Sequence, residues 1–441
     1  MEIFCNPGFK IDTRSRGLLM KEKIRLSQAM IVKNEEKNIE RALRWGKDIV
    51  TEQIVVDTGS TDRTVELAEK MGARVYHFDW IDDFSAAKNY AIEKCSGNWI
   101  AFLDADEYFN SEDAGKLMDY IRETEENGGE GIFTLLVNLD EHGNVGTSAS
   151  HIRIFKNLSD LRYKRRIHEQ LVHSDGHNIR VLDATQELTI WHTGYAGETG
   201  KEKQKSNRNL NLILKDIEDY PENYEMYLHL GNEYYGREMY PEAEKAYAVY
   251  IEHLPVEISG TDVDAANAFL YHIYALLQQD KDAGTILAAY DRAVQRIKEN
   301  ADIPYIMGRC LYDAKFYGEA MECLREALDR LEKYGTLNKS QNAMQNVNSI
   351  YEMLGEGSLK TGDIKSAVKY ASALISVNKY SVSGLVVLLR AFKGNGTDQV
   401  PVKDVMPYLS KIYDLKNEKD KGLLMAAADA VAYEGMSEYL L

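Results

Sequence analysis

The chain has 441 residues, 44% of them hydrophobic, which is enough for two or three domains of ordinary size. Its 70 acidic residues outnumber 53 Lys and Arg, and the resulting net charge of −17 argues against nucleic acid or an anionic bilayer as the main partner. Cys5, Cys95, Cys310 and Cys323 are scattered without CxxC spacing, no apolar run reaches membrane-span length, and no secretory h-region opens the chain. A reduced cytoplasmic protein without disulfides or a zinc cluster is therefore expected.

Residues 1–23 carry no helical or strand period and are expected to be an irregular extension. Met20-Lys-Glu-Lys before Ile24 looks like a fresh amino terminus, so residues 1–19 read either as a loose extension or as the product of an upstream start codon. Gln28-Ala-Met-Ile-Val32 predicts a first strand, and Asn34 is placed to cap a helix from Glu35 to about Trp45. Gln53-Ile-Val-Val-Asp57 predicts a second strand, followed by the turn Thr58-Gly-Ser-Thr-Asp62 and a helix with Val65, Ala68 and Met71 on one face, closed by Gly72. Arg74-Val-Tyr-His-Phe78 is a third strand. A helix through Phe84, Ala87, Ala91 and Cys95 ends before Gly97, and Trp99-Ile-Ala-Phe-Leu103 is a fourth strand, apolar enough to be buried on both faces. This alternation predicts a mostly parallel sheet with helices on both sides.

Strands are expected next at 131–137, 150–155, 168–172 and 189–195, with His151 and Arg153 on the exposed face of a half-buried strand. Residues 201–441 read as helices. Tyr227, Leu230-Gly231, Tyr234, Ala243, Tyr247 and Pro255 follow the frame of a tetratricopeptide repeat. Gly308, Ala320, Leu324 and Ala327 repeat part of it, as do Leu354-Gly355, Gly362, Ala367 and Ala371. The predicted division is an extension at 1–23, an α/β domain at 24–200, and a helical-repeat domain at 201–441, with a charged hinge from Lys201 to Arg208.

The chemistry concentrates at strand ends. Asp104-Ala-Asp106 follows the most apolar strand, at the edge where open α/β sheets bind ligands. Two acids one residue apart call for a positive partner, and a hard divalent cation bridging to phosphate oxygens supplies it.

Ile31-Val-Lys-Asn-Glu-Glu36, Val56-Asp-Thr-Gly-Ser-Thr-Asp62, Asp83-Phe-Ser-Ala-Ala-Lys-Asn89 and Asp104-Ala-Asp106 keep order and spacing over residues 27–195. Together they resemble the GT-A nucleotide-sugar domain of the family 2 inverting glycosyltransferases. Ile167-His-Glu-Gln-Leu and Trp191-His-Thr-Gly-Tyr resemble a subset joined to tetratricopeptide-like repeats, which includes sublancin-type peptide S-glycosyltransferases and related bacterial glucosyltransferases. The resemblance implies a hexose transfer from a UDP-sugar to a peptide or glycan acceptor, dependent on Mg²⁺ or Mn²⁺. It assigns Asp57 to the uracil N3–H, with turn capping as the alternative, and sets Lys33, Asn34 and Glu35 around base and ribose. Ser85, Lys88 and Asn89 belong to the donor-binding helix, where Lys88 stands in a position the family usually gives to Arg.

The resemblance further implies that Asp104 holds ribose hydroxyls and that Asp106 and His192 hold the metal. Glu169 is the candidate base, kept ionised by Arg165 and Arg166, of which Arg166 is also a candidate phosphate contact; Glu107 is the alternative base. Two other readings compete. One is a repeat scaffold carrying a decayed transferase, disfavoured because the costly paired acids persist. The other is a nucleotidyltransferase, disfavoured because Lys33-Asn-Glu-Glu36 is no Gly-rich loop. A homodimer through the repeats is left open.

Overall fold

The computed structural model describes residues 2–4, 23–193, 207–335, 340–394 and 399–441. Two compact units, residues 1–226 and 227–441, make up the chain.

In the first unit the predicted α/β alternation is present. Strand β1 (Glu2–Phe4) comes first in the chain, and strands β2 (Leu26–Val32), β3 (Glu52–Asp57), β4 (Arg74–His77) and β5 (Trp99–Phe102) are joined by helices α1 (Ile39–Arg44), α2 (Thr64–Lys70) and α3 (Phe84–Lys94). Strands β6 (Glu107–Phe109), β7 (Gly131–Leu139), β8 (Val145–Lys156), β9 (Leu161–Lys164), β10 (Gln170–His173), β11 (Arg180–Asp183) and β12 (Thr189–His192) follow, with helix α4 (Ser111–Glu126) after β6. Among the described residues the main sheet runs β1-β11-β7-β8-β5-β2-β3-β4, with β12 between β7 and β6, while β9 and β10 form a separate antiparallel pair. Strands β2, β3, β4 and β5 are mutually parallel, as the alternation predicts, and β8 runs against β5 and β7. Trp99 to Leu103 are fully buried, because helices cover both faces of this strand.

Several local expectations are corrected. Asn34 does not cap a helix: it sits in the left-handed region at φ 58°, and the helix begins only at Ile39. Its side-chain oxygen instead accepts from the Thr61 N–H at 2.8 Å, tying the β2 and β3 turns together. The segment at 150–155 is not half-exposed along its length, since Ile154 and Phe155 are both buried where β8 is clasped between β5 and β7. The short strand β1 pairs parallel with β11 inside the stretch expected to be irregular, because three residues suffice to extend a sheet edge. Helix α4 had no counterpart among the predicted elements, although Asn110 caps it by accepting from the Asp113 N–H.

The expected domain boundary at 200 and most of the charged hinge lie outside the described residues. Helix α5 (Arg208–Asp219) is part of the first unit, with Leu212 and Ile213 buried.

The second unit is a run of helical hairpins. Helices Glu225–Gly236 and Tyr240–Glu252 form one, Asp302–Asp313 and Tyr317–Tyr334 another, and Val347–Thr361 and Ile364–Val377 a third. In the first two frames the glycine faces a bulky residue of the partner helix. A Cβ on Gly231 would meet the Tyr247 ring at 2.5 Å, and one on Gly308 would meet Leu324 at 2.8 Å. Ala243, Ala320, Leu324, Ala327, Ala367 and Ala371 are fully buried, as the frame requires. The pair Val263–Gln278 and Ala283–Arg296 lies between the first two frame-bearing hairpins, which is why the copies are more than one repeat apart. No helix among the described residues is long and apolar enough to cross a membrane.

Candidate active site

The carboxyl ends of β2, β3 and β5 open onto a cavity of about 460 Å³. Lys33, Glu35, Lys88, Asp104, Asp106, Glu169 and His192 line it, so seven of the residues singled out in the sequence converge on one place. The turn after β5 is closed at both ends by Glu107: its carboxylate accepts from the Asp104 N–H at 3.0 Å, and its own N–H donates to the Asp104 carbonyl at 3.0 Å.

Strand β12 brings in the histidine. It pairs antiparallel with β6 and parallel with β7, setting His192 opposite Glu107 and Asn138. Asn138 Oδ1 lies 2.6 Å from His192 Nδ1, and His192 Nε2 lies 3.4 Å from an Asp106 carboxylate oxygen. A ring anchored through Nδ1 and facing a carboxylate through Nε2 is the arrangement of a metal-ligating histidine with its supporting shell. The Asp106 carboxylate and the His192 imidazole, paired on one cavity wall, thus have the chemistry to fit a divalent ion.

Two buried cations organise the acids. Lys88 pairs with Glu169 and lies 3.9 Å from Asp104; Arg153 pairs with Glu107 and lies 3.3 Å from Asp104. Burial alone would lower the Lys88 pKa, but Asp104 and Glu169 together raise it above the usual lysine value. Burial pushes Glu169 up, and the ion pair and hydrogen bond with Lys88 more than reverse this, leaving it below the usual carboxylate value. Glu107 goes the other way, because burial outweighs Arg153 and raises it. Glu169 is therefore a carboxylate facing the cavity, whereas Glu107 is 2% exposed and spent on Arg153 and the turn. The expected partners of Glu169 are corrected: Arg165 pairs with Glu225, and Arg166 pairs with Asp219, both turned toward the chain around α5.

Helix period explains which residues of the third motif reach the cavity. Phe84 and Lys88, four residues apart, face it. Ser85 and Asn89 lie on the neighbouring face: Ser85 donates to the Arg165 carbonyl, and Asn89 exchanges two hydrogen bonds with the Tyr163 backbone at 2.8 and 2.9 Å. These two residues hold the segment that carries Glu169, and Arg166 helps by donating its N–H to Asp216 at 3.0 Å. Asp57 is 5% exposed and caps its own turn, accepting from the Gly59 and Ser60 N–H groups at 3.2 and 3.0 Å. Among the described lining residues its neighbour Thr58 appears in its place.

Arg153, Phe84, His168, Arg208 and Asn209 escaped the sequence reading as site residues. Arg153 followed an alternation that suggested solvent, and Arg208 and Asn209 fell in the segment assigned to the repeats. Arg208 lies 5.3 Å above the Phe84 ring at the cavity wall.

The family model for glycosyl transferase family 2 matches residues 27–178. A TPR repeat-containing protein of Synechococcus elongatus is 30% identical over 315 residues, covering 69% of this chain and 75% of its own. The chain belongs to glycosyl transferase family 2. Another relative, the glycosyltransferase SunS of Bacillus subtilis, is 29% identical over 214 residues, 46% of this chain and 48% of its own, so the match spans about half of that relative. Among solved structures, Staphylococcus aureus TarS 1–349 in complex with UDP-GlcNAc aligns over 63% of this chain and 90% of its own, at 14% identity and a TM-score of 0.36. As a family 2 member the chain is a glycosyltransferase, with the family match on the first unit and helical repeats on the second.

Proposed function

We propose that this glycosyltransferase moves a hexose from a UDP-sugar to a peptide or glycan acceptor with inversion at the anomeric carbon. The observation that carries the reading is the convergence of Glu169, Asp104 and the Asp106–His192 pair on one cavity. Lys33, Glu35 and Thr58, beside the Asp57 turn, line the cavity and would face the base and ribose. Asp106 and His192 would hold Mg²⁺ or Mn²⁺, and a bound ion would neutralise negative charge on the donor diphosphate. Glu169 accepts the proton of the acceptor hydroxyl or thiol as that oxygen or sulfur attacks C1. The C1–O bond to phosphate breaks, and its electron pair leaves with UDP. Lys88 keeps Glu169 ionised and holds it still before the acceptor arrives. Choice of acceptor falls to the helical unit.

Glu169→Gln tests this. It should leave UDP binding within a few-fold of wild type and slow transfer by about 10²-fold or more, the scale of losing a general base. UDP release measured with a panel of UDP-sugars gives the donor and the rate together. Transfer at near wild-type rates in Glu169→Gln would remove Glu169 from the reaction.

A further inference from the structure

A second cluster of ligating side chains lies at the opposite end of the sheet from Asp104. Strand β7 runs in the same direction as β5, each being antiparallel to β8, so Glu130, just before β7, sits at the amino ends of these strands. His173 ends β10, and His177 follows in the loop that leads to β11. One ligand atom from each of Glu130, His173 and His177 lies within 4.8 Å of the others.

Three features mark this as more than a chance grouping. His173 is 1% exposed, yet its Nε2 has no hydrogen-bond partner, and the nearest acid oxygen, of Glu130, is 3.7 Å away. A buried polar atom left unpaired is costly, and an ion in front of it removes the cost. Each imidazole is also held through Nδ1 by its own carboxylate, His173 by Asp160 at 2.8 Å and His177 by Asp175 at 2.5 Å. That fixes both tautomers with Nε2 as the free ligating atom, the carboxylate–histidine–metal pattern. Finally, Gly176, at φ +81°, turns the loop so that the His177 ring stacks on His173 with centroids 3.7 Å apart. Glu130 already accepts from the Arg180 N–H at 3.0 Å and keeps lone pairs to spare.

We infer that Glu130, His173 and His177 form a zinc-type divalent metal site distinct from the donor cavity. Two imidazoles and one carboxylate suit Zn²⁺ or Co²⁺ rather than Mg²⁺, and three protein ligands leave a fourth position open. The cysteine spacing gives no hint of it because no cysteine takes part.

Co²⁺ is the probe, titrated into the full chain in excess Mg²⁺ and followed by visible absorption. Wild type and Asp106→Ala, which lacks a donor-cavity ligand, should both develop the d–d bands of a four- or five-coordinate ion, saturating at one ion per chain. His177→Ala and Glu130→Gln should bind at least tenfold more weakly, since losing even a supporting partner typically weakens a site about 10–100-fold. His177 is half exposed, so its removal leaves packing intact, and circular dichroism checks this. Zn²⁺ should raise the thermal midpoint of wild type and not that of His177→Ala. The site is overturned if wild type shows no saturable band, or if the band survives unchanged in His177→Ala.

Discussion

Replacing Lys88 with Met removes a buried charge while keeping an apolar stem. Lys88 is 3% exposed, pairs with Glu169, lies 3.9 Å from Asp104, and sits 5.4 and 5.1 Å from the ring centres of Phe102 and Tyr163. Methionine preserves the packing on those rings, so the loss is mainly electrostatic. The Asp104 side chain is 39% exposed and keeps Arg153 at 3.3 Å, so its share is screened to a few tenths of a kcal/mol, as for a surface pair. The Glu169 side chain is 16% exposed and loses its cation. Removing one partner of a buried pair costs about 3–5 kcal/mol, and about 3 is expected here because Glu169 can protonate instead of staying charged.

The pH dependence separates this from a packing defect. In wild type, burial raises Glu169 and Lys88 lowers it further, so its folded value lies below the ordinary 4.5. Its stabilisation is complete above 4.5 and is lost as pH falls through the folded value. In Lys88→Met burial dominates and the folded value moves above 4.5, so stability is kept at low pH and lost as pH rises through that value. The deficit of the variant should therefore shrink steadily between pH 7 and pH 4. Urea midpoints read across that range measure it. A deficit independent of pH, or below about 1 kcal/mol at pH 7, would show that Lys88 does not hold Glu169 as an ion.

Asp106→Ala should weaken UDP binding and abolish its dependence on divalent metal, with calorimetry in the presence and absence of EDTA as the readout; undiminished affinity without metal would remove Asp106 from the ion site. Asn138→Ala frees the His192 ring, 2.6 Å from it, and should weaken Mn²⁺ binding in the donor cavity about 10–100-fold while leaving the fold intact. Equal Mn²⁺ affinity would mean His192 is no ligand. Gly231→Ala places a Cβ 2.5 Å from the Tyr247 ring and should destabilise the helical unit by about 1–3 kcal/mol without changing UDP affinity. A neutral effect on the denaturation midpoint would contradict the close approach of that hairpin.

The sequence by itself determined what depends on neighbours along the chain. Alternating apolar runs set the order of strands and helices, and a strand as apolar as Trp99–Leu103 had to be central, so Asp104 and Asp106 had to emerge at a ligand-binding edge. The small residues of the repeat frame announced helical hairpins because only a glycine lets a ring such as Tyr247 approach so closely. The tertiary structure alone decided which charges meet. Glu169 found Lys88, 81 positions away, rather than the adjacent Arg165 and Arg166, because the strand β9 and the chain around α5 turn those guanidiniums toward Asp219 and Glu225. Arg153 looked solvent-facing by period, yet clasping β8 between β5 and β7 buries it against Glu107 and Asp104. Helix α5 brought Arg208 and Asn209 to the cavity from a stretch that local pattern could only label helical. Periodicity reports which face of an element is covered; the partner of a charge is set by the register and packing of elements far apart in the chain, which no local pattern encodes.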